Sequence, residues 1–143
     1  MSNIETIAAD VIDASFKLHR DVGPGLLESV YEMVLAAKLT RLGYSVLRQA
    51  PVTVTVDDLV FEGAFRADLI VNDLIMVEIK SVERLSGVHA KQLLTYLRLT
   101  GRPLGLLVNF GGETLKDGLK RVVNAYKPVA PSCLRVNQED MRR

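Results

Sequence analysis

A mixed β-sheet flanked by helices is the fold class that this 143-residue sequence predicts. Three observations lead there. Two helical patterns open the chain, and the apolar period then changes from that of a helix to that of a strand. A third helical pattern separates the last two extended segments, as a parallel crossover requires. The length is that of one domain, able to remove roughly two thirds of its unfolded surface from water. With 48% of residues hydrophobic, a core can form without cross-links. The lone Cys133 excludes an internal disulfide, and two histidines are too few for a cysteine/histidine zinc cage.

The elements follow in order. Ile4, Ile7, Ala8, Val11, Ser15 and Leu18 recur at helical spacing and predict a helix over residues 4–20. Residues 21–25, with Gly23, Pro24 and Gly25, break it. A second helix is expected over 26–42, with Leu27, Val30, Val34, Leu35, Leu39 and Leu42 on its apolar side and Gly43 closing it. Residues 44–49 and 52–56 read as strand, and Asp57 with Asp58 as a turn. Residues 60–66 and 68–71 continue as strand, bent at Gly63. Asn72 and Asp73 turn the chain into a strand over 74–80. A third helix spans 88–100 and stops at Gly101. The apolar run 104–110 reads as a strand buried on both faces. A short final helix is expected over 115–124. The domain is thus assigned to residues 1–127, with a loosely structured tail over 128–143.

No apolar run approaches the about 18 residues of a membrane span. The early charges Glu5, Asp10, Asp13, Lys17 and Arg20 do not fit a secretory signal, so a cytoplasmic protein without membrane partners is expected. A net charge of +1 gives no overall pull toward a polyanion. The charge is segregated, however. Residues 51–80 carry two basic and six acidic side chains and residues 81–127 eight and three, as a cation site beside an anion-binding surface would. Ordinary solvated charge explains the same pattern.

Glu78 and Lys80 stand two apart at the end of a strand and therefore share a face, while Val77 and Ile79 face away. A carboxylate beside an ammonium suits metal-assisted phosphodiester cleavage: the acid holds a cation, and the lysine orients or deprotonates water or neutralises developing charge. Taken alone, the pair is a common pattern and more often an exposed ion pair. Asp68 adds to it through the register of the hairpin. A two-residue turn at Asn72 and Asp73 would set Asp68 opposite Val77, whereas a three-residue loop over 72–74 sets it opposite Glu78. Opposed carboxylates about 5 Å apart at Cβ repel unless a cation lies between them, and magnesium is a hard, oxygen-seeking ion.

Glu28 falls in the first turn of the second helix, where a negative charge meets the positive end of the dipole. Tyr31 shares its face, and in the third helix Gln92 shares a face with Tyr96. A glutamine there can orient water and a tyrosine can donate to phosphate; each is also an ordinary half-buried polar residue. His19 is expected to complement a helix C-terminus. His89 either touches phosphate at the site mouth or packs at a helix start. Cys133 has no base near it in sequence.

The stretch Gly25-Leu26-Leu27-Glu28-Ser29-Val30-Tyr31 resembles the signature of the bacterial and archaeal GxxExxY proteins. The likeness continues through Phe65-Arg66-Ala67-Asp68-Leu69, Val77-Glu78-Ile79-Lys80-Ser81, the segment from His89 to Leu97, and the segment from Gly105 to Gly111. It covers about residues 11–123. That family resembles the PD-(D/E)XK phosphodiesterase superfamily, and the resemblance implies a restriction-endonuclease-like core in the order αβββαβ. It makes Asp68, Glu78 and Glu28 metal ligands, with Glu28 and Lys80 also catalytic. Gln92 and Tyr96 resemble the Gln-x-x-x-Tyr element of RecB-like nucleases. Ala67 stands where the superfamily's name has proline.

Two classes of function follow. One is a Mg2+-dependent nuclease, with Mn2+ a substitute, acting on nucleic acid and on DNA in preference. In it Asp68, Glu78, Glu28 and a backbone carbonyl near Ile79 would hold one or two cations. Lys80 would act on the water, Gln92 would orient water or substrate, and Tyr31, His89 and Tyr96 would contact phosphate. The other is a non-catalytic nucleic-acid- or protein-binding module on the same fold; a homodimer or a protein partner fits either. Without a cation, the clustered acids should raise the pKa of at least one of them.

Overall fold

The computed structural model describes residues 3–124. Its elements are α1 (Ile4–Val22), α2 (Glu28–Arg41), β1 (Val46–Val56), β2 (Leu59–Val71), β3 (Ile75–Lys80), α3 (Gly87–Thr100), β4 (Leu104–Asn109), a 3-10 turn (Lys116–Gly118) and β5 (Leu119–Val123). The expected tail over 128–143, with Cys133, lies outside the described residues.

The five strands lie in one sheet in the order β1-β2-β3-β4-β5. Only β3 and β4 pair in parallel, and α3 makes the crossover between them. The helices cover both faces. α1 and α2 pack Ile7, Val11, Leu18, Tyr31, Leu35 and Leu39 against Leu69, Val77, Ile79, Leu106 and Val108. α3 packs Leu93 and Leu97 against Ile70, Met76 and Leu107 on the other side. β4 is buried along its whole length, which accounts for its unbroken apolar run. None of the described helices is long and apolar enough to cross a membrane.

Two segments differ from expectation. The predicted helix over 115–124 is a 3-10 turn followed by a strand antiparallel to β4. Leu115, Leu119 and Val122 stand at helical spacing, but a five-residue strand is too short to display a competing period. Gly118 is the residue that the turn accommodates: a Cβ there would lie 2.6 Å from the carbonyl oxygen of Asn109. The second difference is rotational. α2 buries Tyr31, Glu32, Leu35, Ala36 and Leu39, while Leu27 and Leu42 of the predicted stripe are exposed. The two strand segments expected over 44–56 form one strand, with Gln49 inside it at φ 49.

That left-handed residue has an architectural effect. Val46 packs with the α1/α2 core, whereas Ala50 and Val52 pack with the α3 core, although plain alternation would keep all three on one side. The paired strand does the same: Leu69 and Val71 face α1 and α2, Ala67 and Phe65 face α3. The β1–β2 ribbon therefore changes layers at the level of Gln49 and Asp68. Farther out the ladder slips between Val52 and Val54, where Gly63 (φ 62) supplies the expected bend.

Candidate active site

The geometry starts from the β2–β3 turn. Asn72 and Asp73 both adopt positive φ, and the Leu74 N–H donates to the Val71 carbonyl at 3.0 Å. The ladder nevertheless pairs Val71 with Ile75, Ile70 with Met76 and Leu69 with Val77, so Leu74 is an extra residue and the loop has three. Continued by one step, this register sets Asp68 opposite Glu78. The backbone ladder ends at Leu69, and beyond it Asp68 Oδ2 accepts the Ile79 N–H at 2.8 Å. Glu78 and Lys80 alternate with Met76, which places them on the face that α3 covers.

Glu78 is the anomalous group. Its Oε1 is buried and has no hydrogen-bond partner among the described residues. Burial first, then the charge of Asp68 and the contact between the two carboxyls, push its pKa up to about 8, and Lys80 pulls the other way. Glu78 therefore holds a proton at neutral pH unless a cation replaces it. Lys80 is half-buried and makes no ion pair with a described carboxylate. Its ammonium is left available on the same face.

Asp68 has a second anchor that the sequence reading missed. Gln49 Nε2 donates to Asp68 Oδ1 at 3.1 Å and also to Glu32 Oε1, and Arg48 closes on Glu32 Oε2 through Nε at 3.2 Å and a second nitrogen at 3.1 Å. Glu32 is 4% exposed. A carboxylate that is buried on a helix needs such partners; its place beside Tyr31 and one turn before Leu35 was the signal available in the sequence.

The remaining predicted residues fall into three groups. Glu28 accepts the Ser81 N–H at 3.2 Å, while Ser81 Oγ donates to the Leu26 carbonyl, so the start of α2 is tied to the end of β3. Among the described residues no three His, Cys, Asp or Glu are grouped to hold an ion, so Glu28 stands apart from the Asp68 and Glu78 pair. Gln92 lies on α3, the helix over the Glu78 face, but donates to the Tyr96 hydroxyl at 3.1 Å and makes no hydrogen bond to either carboxylate. The Tyr96 ring stacks on Phe65 with centroids 3.7 Å apart.

Two residues expected at phosphate hydrogen-bond within the protein instead. Tyr31 is fully buried, stacks on Phe110 at 4.3 Å, donates to the Gly23 carbonyl and accepts the Leu26 N–H. Its hydroxyl closes the Gly23–Leu26 loop. His89 accepts the Ser86 N–H through Nδ1 at 3.2 Å, a helix-start role. His19 donates Nε2 to the Gly112 carbonyl at 2.9 Å.

The donor set fits a divalent cation. Magnesium is commonly bound by one or two carboxylates with waters and phosphate oxygens completing its shell. Asp68 and Glu78 supply two, and the unpartnered Glu78 oxygen supplies a reason for one to be there.

A family model for the PD-(D/E)XK nuclease superfamily matches residues 5–122. The chain belongs to this superfamily. Its five-stranded mixed sheet with three helices among the described residues is consistent with a restriction-endonuclease-like fold. Membership points to a nuclease-like function, and nucleases of the superfamily typically use divalent metals. No curated protein and no solved structure matches the chain.

Proposed function

We propose that this member of the superfamily hydrolyses nucleic-acid phosphodiester bonds, DNA in preference, with Mg2+ held by Asp68 and Glu78 and with Mn2+ able to replace it. The observation that carries the reading is the Glu78 Oε1, a buried acid oxygen without a donor beside a second carboxylate. A divalent cation at such a pair polarises the phosphate and lowers the pKa of water. Lys80, on the same face and unpaired, orients the attacking water and offsets charge developing on the phosphate. Asp68, fixed through both oxygens, would hold the ion through its remaining lone pairs. Glu28 holds Ser81 and with it the end of β3, and Gln92 orients substrate from α3.

The test is a panel of labelled single- and double-stranded DNA and RNA incubated with Mg2+ or Mn2+. Cleavage should require the metal and fall at least 100-fold in Lys80→Ala. If calorimetry shows metal binding that Asp68→Ala removes, yet no substrate is cut, the chain is a binding module and the hydrolytic reading fails.

A further inference from the structure

Gln49 is exposed, uncharged and held at φ 49, a conformation that an L-residue adopts only with local strain. No hydrophobic contact accounts for it. What the conformation achieves is a side chain reaching between two layers: its amide nitrogen donates to Asp68 on β2 and to Glu32 on α2. The backbone is clamped as well, since the Gln49 carbonyl accepts from Arg66 at 3.1 Å. Arg48 neutralises Glu32, so the amide rests against a carboxylate that is itself fixed.

We propose that Gln49 is the positioning residue for Asp68. Its amide holds Oδ1 while the Ile79 N–H holds Oδ2, which stops the carboxylate from turning about its last torsion. A buried acid such as Glu32 is an unusual anchor, and it serves because its helix is packed rigidly against the sheet by Leu35 and Leu39. The role of Asp68 as a metal ligand rests on the function proposed above; the orientation of its carboxylate does not. Outer partners of this kind commonly change metal affinity by about 10- to 100-fold when removed.

Gln49→Gly isolates the side chain, because glycine accepts the left-handed backbone without strain and the fold should persist. Two readouts apply. In metal-free protein the Ile79 amide, followed by NMR and hydrogen exchange, should shift and exchange about tenfold faster or more, with the rest of the spectrum preserved. Calorimetry with Mn2+ should show affinity weakened about 10- to 100-fold. Gln49→Glu, the same shape without the donors, should act in the same direction. An Ile79 amide identical to that of the wild type overturns the proposal, as does Mn2+ affinity within twofold of a wild type that binds the ion. A wild type that takes up no Mn2+ while Gln49→Gly still frees the Ile79 amide refutes the metal centre and supports the positioning role.

Discussion

Glu78→Gln is the perturbation with the clearest consequence. The carboxyl is raised from an ordinary 4.5 to about 8, so its neutral form is the one that suits the fold. A folded pKa above the unfolded one means stability that is full below about 4.5 and is lost as the pH climbs through about 8. At about 1.4 kcal/mol per pH unit the span bounds the loss at about 5 kcal/mol. Glu78 keeps some contact with solvent, so about 2–3 kcal/mol is the expected size. Glutamine is neutral at every pH and nearly the same shape. Denaturant melts in a chelating buffer from pH 4 to 9 should therefore show the wild type falling behind Glu78→Gln across that window, with the gap constant above it. Adding Mg2+ or Mn2+ at pH 8 should restore the wild type and leave the variant unchanged. Parallel stability curves for the two proteins would show that Glu78 is not a buried acid awaiting a cation.

Lys80→Met should raise the Glu78 pKa above about 8, because the nearby ammonium opposes the shift; carbon-detected NMR titration reads this directly. Tyr31→Phe should lower stability by about 1–2 kcal/mol through loss of the Gly23 and Leu26 hydrogen bonds, and should leave nucleic-acid affinity unchanged in a binding assay. Gly118→Ala should lower stability by about 1–3 kcal/mol in thermal melts, since the added methyl meets the Asn109 carbonyl.

Much of the architecture was legible because each element carried its own period. Residues 4–20 and 88–100 announced helices, and the strand run 104–110 announced burial on both faces. The pairing of Asp68 with Glu78 was not decided, since a two-residue and a three-residue turn use the same Asn72 and Asp73. The structure resolves it through Leu74, an extra residue that alternation cannot reveal. α2 was legible as a helix but not in rotation: Glu32 sits in its buried face, and a hydrophobicity pattern counts a carboxylate as solvent-facing. Gln49 was invisible for a related reason. Its contribution depends on a backbone sign that a glutamine does not advertise, and on partners 17 and 19 residues away.

The exchange of layers at Gln49 and Asp68 makes this part of the chain sensitive to length more than to composition. Ahead of Gln49 the even-numbered Val46 meets one core; beyond it the even-numbered Ala50 and Val52 meet the other. Substitutions along the outer ribbon, where residues 55–64 are exposed, change only surface. Deleting one residue between 47 and 50 is different in kind: it would exchange the faces of the β1 residues beyond it, lifting Ala50 and Val52 out from under Leu93 and Leu97. The surroundings of Asp68 are thus indexed by counting along two strands, and a frame slip in either would change them without altering Asp68 itself.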